Sequence, residues 1–248
     1  MRILLPTQAA DQSAAALDDH ALAGLYAYPG PRWLRANMVA SADGAGFLDG
    51  RTAALSTPAD MRLFGLLRVL ADVVLVGAGT ARLEEYKPAR RRPALEDLRA
   101  GRPPTVPVAV VSRKLDLDFA APLFTAAPPD ARTIVLTCTG APDDQRAAAA
   151  QVADVIVAGE TAVDLKEAVT ALLNRGLGRV LCEGGPHLLG QLAAEGLLDE
   201  LCLTVTPVLA GPGPTRVVAG APFPARPMTL EQVLTDDGEL FCRYVVVS

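Results

Sequence analysis

The chain has 248 residues, half of them hydrophobic, with a mean hydropathy of +0.27. That is enough apolar material for a large core, and it excludes disorder as the main state. With 23 basic and 28 acidic residues the net charge is −5, which argues against nucleic acid as the main partner.

The N-terminus, "MRILLPTQAADQSAAALDDH", has one Arg and a short apolar patch, then turns acidic instead of continuing as a signal-peptide core. The longest apolar runs are broken by polar residues or proline well short of a membrane span. A cytoplasmic protein with no membrane partner is expected. "LRANMVA" (34–40) reads as a strand ending in a polar turn, "SADGAGFLDG". In "TPADMRLFGLLRVLAD" (57–72), Thr57 and Pro58 mark a helix start, and Leu63, Leu66, Leu67 and Leu70 repeat with helical period. "VVLVG" (73–77) is a strand apolar on both faces, the type a parallel sheet buries.

A Pro- and Arg-rich loop follows (about 87–106) that includes the solvated run "ARRRP", and then come three more strands, "PVAVVS", "TIVLTC" and "DVIVAG". "DLKEAVTALLNRG" (164–176) is an amphipathic helix with a C-terminal glycine stop at Gly176. "RVLCEGG" is the next strand and turn, and "PHLLGQLAAEG" the next helix. The end changes character: "DELCLTVTPVLAG", "MTLEQVLTDDGEL" and "FCRYVVVS" read as long strands with a hairpin turn at Asp236–Gly238. The expectation is an α/β protein with a mixed, mostly parallel central sheet flanked by helices and antiparallel C-terminal strands. Residues 1–30 are read as an N-terminal extension and 31–248 as one domain.

In such a sheet ligands gather beyond the carboxyl ends of the strands. Those ends here are "SADG", "GAGTAR", "SRK", "TCTG" (Thr137 onward), "GE" (Gly159 onward) and "EGGP", mostly small, glycine- or hydroxyl-bearing. Such residues offer N–H and O–H donors with little bulk, which suits an extended phosphate-rich cofactor. "GAGT" is not the G-x-G-x-x-G fingerprint and lacks an acidic ribose partner about twenty residues on. Ser112, Arg113 and Lys114 have the chemistry to hold a ribose 2′-phosphate, or else form an exposed basic turn. "EGGP" is either a tight turn or a phosphate seat, because glycines bare the amides at the positive end of a helix.

With two histidines, His20 on an acidic segment and His187 in a helix turn, proton transfer falls to carboxylates. Asp43 and Asp60 are the candidates, although Asp43 is also a natural turn former and Asp60 also suits a helix N-terminus. Cys138, Cys182, Cys202 and Cys242 sit in or beside apolar runs without a C-x-x-C pair, so they read as buried hydrophobes and no metal site is expected.

Three segments in register, "LRANMVASADG", "ADVVLVGAGTAR" and "RVLCEGGPHLLGQLAAEGLLDELCLTVTPVLAG", resemble the reductase domain of bacterial riboflavin biosynthesis, the RibD C-terminal domain, over roughly residues 33–247. The resemblance implies a dihydrofolate-reductase-like fold and an NADPH-dependent reductase, a homodimer through its C-terminal strands. The implied substrate is 5-amino-6-(5-phosphoribosylamino)uracil. It also implies that Gly77, Gly79, Thr80 and Ala81 line the cofactor and that Ser112 and Arg113 hold its adenosine end. Glu183, Gly184, Gly185 and Pro186, with Leu188 and Leu189, would wrap the nicotinamide and diphosphate. Thr137 and Gly159 complete the expected cofactor set, and Asn37, Ser41, Asp43 and Asp60 are expected to face the substrate.

The chain departs from the family's pattern in three ways. It lacks a zinc deaminase module. The usual "D-D-P-x-L-x-x-R" loop reads "LEEYKPARRR", and the usual "MSLDGR" reads "VASADG". The altered loop leaves open a pteridine substrate such as dihydrofolate, and the missing module a non-catalytic NADP-binding protein.

Overall fold

The architecture comes from a computed structural model, which describes residues 1–5, 17–48, 51–99 and 101–247. Part of the acidic N-terminal stretch (6–16) and the end of the turn after residue 48 therefore lie outside the described residues. Those described form one ten-stranded sheet. In chain order its strands are β1 (Arg2–Leu5), β2 (Trp33–Ser41), β3 (Val73–Gly77), β4 (Val108–Val111), β5 (Ile134–Thr137), β6 (Asp154–Val157), β7 (Arg179–Cys182), β8 (Glu200–Thr206), β9 (Met228–Asp236) and β10 (Glu239–Val246). Their spatial order is β1-β9-β10-β8-β2-β7-β3-β4-β5-β6.

From β8 to β6 every neighbouring pair is parallel, whereas β10, β9 and β1 add antiparallel pairs at one end. The expected mixed sheet is the one formed. The chain lays β3 to β6 outward in one direction, then returns to slip β7 between β2 and β3. That reversal opens a crevice beyond the carboxyl ends of β2, β7 and β3, where parallel sheets bind ligands.

Alternation along each central strand feeds two cores. Val74, Val76, Val108, Val110 and Val135 point to one face, where helix α2 (Pro58–Leu70) packs Leu63, Leu66, Leu67 and Leu70. Val73, Leu75, Ala109, Ile134 and Leu136 point to the other. There α6 (Leu165–Asn174) contributes Leu165, Ala168 and Leu172, and α7 (Pro186–Ala194) contributes Leu188, Leu189 and Leu192. The shorter helices are α1 (Asp19–Leu25), α3 (Ala78–Leu83), α4 (Pro122–Thr125) and α5 (Asp143–Val152).

The local signals act as expected. Thr57 caps α2, its Oγ1 accepting from the Asp60 amide at 3.2 Å, and Gly176 takes a left-handed φ of +78° just beyond α6. Asp237 and Gly238, both at positive φ, make the two-residue hairpin turn between β9 and β10. All four cysteines are buried and free.

Described residues before 31 join the body. Strand β1 pairs with β9, and Met1, Ile3, Leu22, Ala23 and Tyr26 enter the first core. The chain is further tied across the sheet by an enclosed ion pair. Arg35 on β2 stands opposite Glu200 on β8 and donates to it from Nε at 2.6 Å, and Trp33 Nε1 donates to the same carboxylate at 2.8 Å. Among the described residues, no helix is long and apolar enough to cross a membrane.

Candidate active site

A cleft of about 600 Å³ lies at the carboxyl ends of β2 and β7, roofed by α2 and the segment after α3. Asn37, Asp60, Thr80 and Glu183, four residues expected from sequence, line it together. Asn37 projects from β2, and its Oδ1 is buried with no partner among the described residues. A buried acceptor left open costs free energy unless a ligand or water fills it.

Asp60 is 5% exposed in the first turn of α2. Burial pushes its carboxyl above the usual range, and hydrogen bonds from Thr204 on β8 and from Ser56 only partly oppose this. An acid that holds its proton more tightly than usual thus faces the cleft, which suits proton donation.

Asp43 has the opposite environment. It is exposed and does not line the cleft. Its Oδ1 accepts from Ser41 Oγ at 2.5 Å and from the Ala210 amide at 3.0 Å, and its Oδ2 accepts from the Gly211 amide at 2.9 Å. Those bonds, the Ser41 hydroxyl foremost, hold its pKa down to about 2. Ser41 is buried, and its Oγ also accepts from the Ala45 amide at 2.9 Å. Both side chains are therefore engaged in pinning the turn after β2 to the segment after β8.

Glu183 directly follows β7 and lines the cleft, but its carboxylate is occupied. Arg68 Nε and Nη2 donate to it in a fork at 2.7 Å each, and Tyr86 Oη donates at 2.8 Å. The Arg68 guanidinium lies over the Phe64 ring, 4.4 Å from its centroid. Burial is the largest influence and alone would lower the arginine's pKa, but the Glu183 charge, its hydrogen bonds and Tyr86 together outweigh it and raise the pKa.

The two glycine turns expected to hold a cofactor meet. Gly77 N donates to Gly184 O at 2.9 Å, and the peptide between Gly184 and Gly185 is cis. A Cβ at Gly185 would collide with Thr80 Oγ1, so only glycine lets the turns touch. Gly185 is the N-cap of α7 with no side-chain cap, and Pro186 follows in the first turn. The amides of His187 and Leu188 thus lack intrahelical partners, an arrangement that welcomes an anion. Gly79 is exposed, with open space where a Cβ would sit, and Ala81 is buried. Leu188 and Leu189 turn their side chains into the core, so only backbone is left there for a ligand.

Farther along the same edge, Thr137 Oγ1 is buried and unpartnered among the described residues, and Arg113 and Lys114 are exposed. Ser112 Oγ accepts from the Leu115 amide at 3.1 Å within its own turn. Gly159, at φ +86°, turns the chain after β6, and its amide donates to Glu167 Oε2 at 2.8 Å. Histidine stays peripheral: the exposed His20 lies 3.0 Å from Asp97, and His187 is exposed on α7.

Sequence reasoning missed Arg68 and Tyr86. Residues 60, 64 and 68 follow one another at helical spacing beside the leucine stripe, which is the signal that could have placed Phe64 and Arg68 with Asp60. Arg90 and Arg92 come from the loop read as solvated, yet both line the cleft. The Arg92 guanidinium rests on Gly65, where a Cβ would collide with it.

The family described as the RibD C-terminal domain matches residues 32–241, and the chain belongs to that family. A pyrimidine reductase-like protein from Corynebacterium diphtheriae superposes with a TM-score of 0.81 at 29% identity, over 88% of this chain and 92% of that one. Two curated archaeal relatives bear the name 2,5-diamino-6-ribosylamino-4(3H)-pyrimidinone 5′-phosphate reductase. The Archaeoglobus fulgidus protein is 28% identical over 71% of this chain and 80% of its own length. The Methanothermobacter thermautotrophicus protein is 27% identical over 66% and 75%.

Proposed function

We propose that the chain is an NADPH-dependent reductase of a phosphoribosylamino-pyrimidine in riboflavin biosynthesis, converting the ribosyl carbon to a ribityl chain. The observation that carries this reading is the pairing of opposite chemistries in one cleft. Asp60, a buried acid, lines it together with Lys87, Arg90 and Arg92. A heterocycle joined to a phosphate needs both. Among the described residues the Arg92 side chain has no hydrogen-bond or carboxylate partner, so its charge is left for a ligand, which favours the phosphorylated substrate over a pterin.

The residues present fit the cofactor through the bare amides at the start of α7, the glycine contact at Gly185 and the unpartnered Thr137 hydroxyl. Gly77, Gly79 and Thr80 with Gly184 to Pro186 would hold its diphosphate, and Arg113 with Lys114 its 2′-phosphate. When bound, NADPH supplies a hydride to the ribosyl carbon. Asn37 orients the pyrimidine edge through its open Oδ1. Asp60 holds a proton at its carboxyl and gives it to the substrate as the carbon is reduced, so one hydride and one proton are added in all. Glu183 and Arg68 neutralise each other and keep the wall rigid, and Asp43 fixes the turn that carries Ser41. The exposed apolar side chains of Met228, Leu230 and Leu240 on β9 and β10 support a homodimer through these strands, and the reading places the enzyme in the cytoplasm.

The test is a substrate panel followed by loss of NADPH absorbance. Turnover is expected with the phosphoribosylamino-pyrimidines, oxo or amino at position 2, and roughly ten-fold or more weaker when the phosphate is removed. Turnover of dihydrofolate alone, or tight NADPH binding with no turnover, would contradict the proposal.

A further inference from the structure

A second buried carboxyl sits behind Asp60. Glu239 opens β10 and is 2% exposed. Its Oε2 accepts from Thr57 Oγ1 at 2.5 Å, and its Oε1 is buried with no partner among the described residues. The Thr57 hydroxyl also caps α2 by accepting from the Asp60 amide. A hydroxyl has one hydrogen to give. Here that hydrogen is committed to Glu239, so the lone pairs are turned towards the helix start, as a cap requires.

We propose that Glu239 is a positioning residue for Asp60, fixing the helix start through Thr57 and setting a second acidic group behind the Asp60 carboxyl. The proposal rests on Asp60 as the proton donor. The groups facing the two acids are few. Ser56 and Thr57 face them from just before α2, Thr204 from β8, and Asp236 and Asp237 from the hairpin. Asp236 is itself paired with the Met1 amine at 3.0 Å. The other charged residues lining the cleft are Arg68, Glu84, Glu85, Lys87, Arg90, Arg92 and Glu183, of which Arg68 and Glu183 neutralise each other. Among the described residues no cation pairs with Glu239. Burial raises the pKa of both acids, and the Asp60 charge adds to the rise at Glu239.

Carboxyl carbon NMR of aspartate-labelled protein reads this directly, with the Asp60 signal assigned by its loss in Asp60→Asn. In Glu239→Gln an oxygen remains to accept from Thr57 while the acid is gone. The Asp60 titration midpoint is then expected to fall by roughly half a unit or more, and the alkaline limb of kcat to follow it. An unmoved midpoint in folded Glu239→Gln overturns the proposal.

Should that variant not fold, Thr57→Val cuts the same contact from the other side. Loss of kcat is expected there, with the NADPH Kd held within about two-fold. Wild-type kcat in Thr57→Val overturns the proposal equally. The NMR midpoint reports the coupling whatever the reaction. Failure of the proton-donor reading shows separately, as turnover retained in Asp60→Asn.

Discussion

The turn after β2 and the start of α2 each carry one of the carboxylates that sequence suggested for catalysis, and the fold treats them in opposite ways. Asp43 is exposed and collects three hydrogen bonds, so it stays ionised down to about pH 2. Asp60 is enclosed, and burial holds its proton above the usual carboxylate range. The same side chain is a fastener in one place and an acid in the other, and the surroundings decide which.

Variants sharpen that contrast. The largest effect expected is for Asp60→Asn, which should lower kcat by about 10²-fold or more in steady-state NADPH oxidation. The same change should raise the thermal midpoint at neutral pH, because the wild-type chain must bury an acid that prefers to ionise. An acid whose folded pKa is raised adds stability below its unfolded value of 3.8, and that stability is lost as pH climbs through the folded value. The gap in melting temperature between Asp60→Asn and wild type should therefore widen with pH, and a constant gap would refute the buried-acid description.

Next in size, Arg92→Ala should raise the KM for a phosphorylated substrate about ten-fold and leave kcat nearly intact, the mark of uniform binding. A smaller effect is expected for Thr204→Val. It removes a hydrogen bond that favours the ionised Asp60, so the alkaline limb should move to higher pH by about half a unit. The smallest belongs to Asp43→Asn, with kcat within about three-fold of wild type. Its signature is in acid. A depressed pKa stabilises above the unfolded value and the benefit is lost as pH falls towards 2, so the variant should melt earlier than wild type at neutral pH and converge with it in acid.

Much of the fold was legible because its signals are local. The Thr57–Pro58 start, the leucine stripe of α2 and the Asp-Gly hairpin each depend on neighbours a few residues apart. The N-terminal residues were not. β1 is only four residues long, and its partner β9 lies at the far end of the chain. The loop at 87–106 was read as solvated from its Pro and Arg content. Yet Arg99 is buried there, its Nη1 donating to the carbonyls of Val69 and Ala71 at 2.9 and 2.7 Å, and burial lowers its pKa to about 10. Arginine aimed at the end of a helix is indistinguishable in sequence from arginine in water.

In the site, the family resemblance led to Asn37, Thr80 and Glu183, and the search for a carboxylate proton carrier led to Asp60. The occupation of Glu183 by Arg68 was beyond reach, since 115 residues separate them. Asp43 and Asp60 likewise look alike in sequence. Only the amides of Ala210 and Gly211, arriving from beyond β8, distinguish their roles.

The most direct test is kcat measured with saturating NADPH and substrate from about pH 5 to 9 in wild type, Asp60→Asn and Asp43→Asn. A proton-donating Asp60 predicts an alkaline decline in wild type that persists in Asp43→Asn and is absent from the residual rate of Asp60→Asn. A decline that survives in Asp60→Asn and vanishes in Asp43→Asn would contradict it.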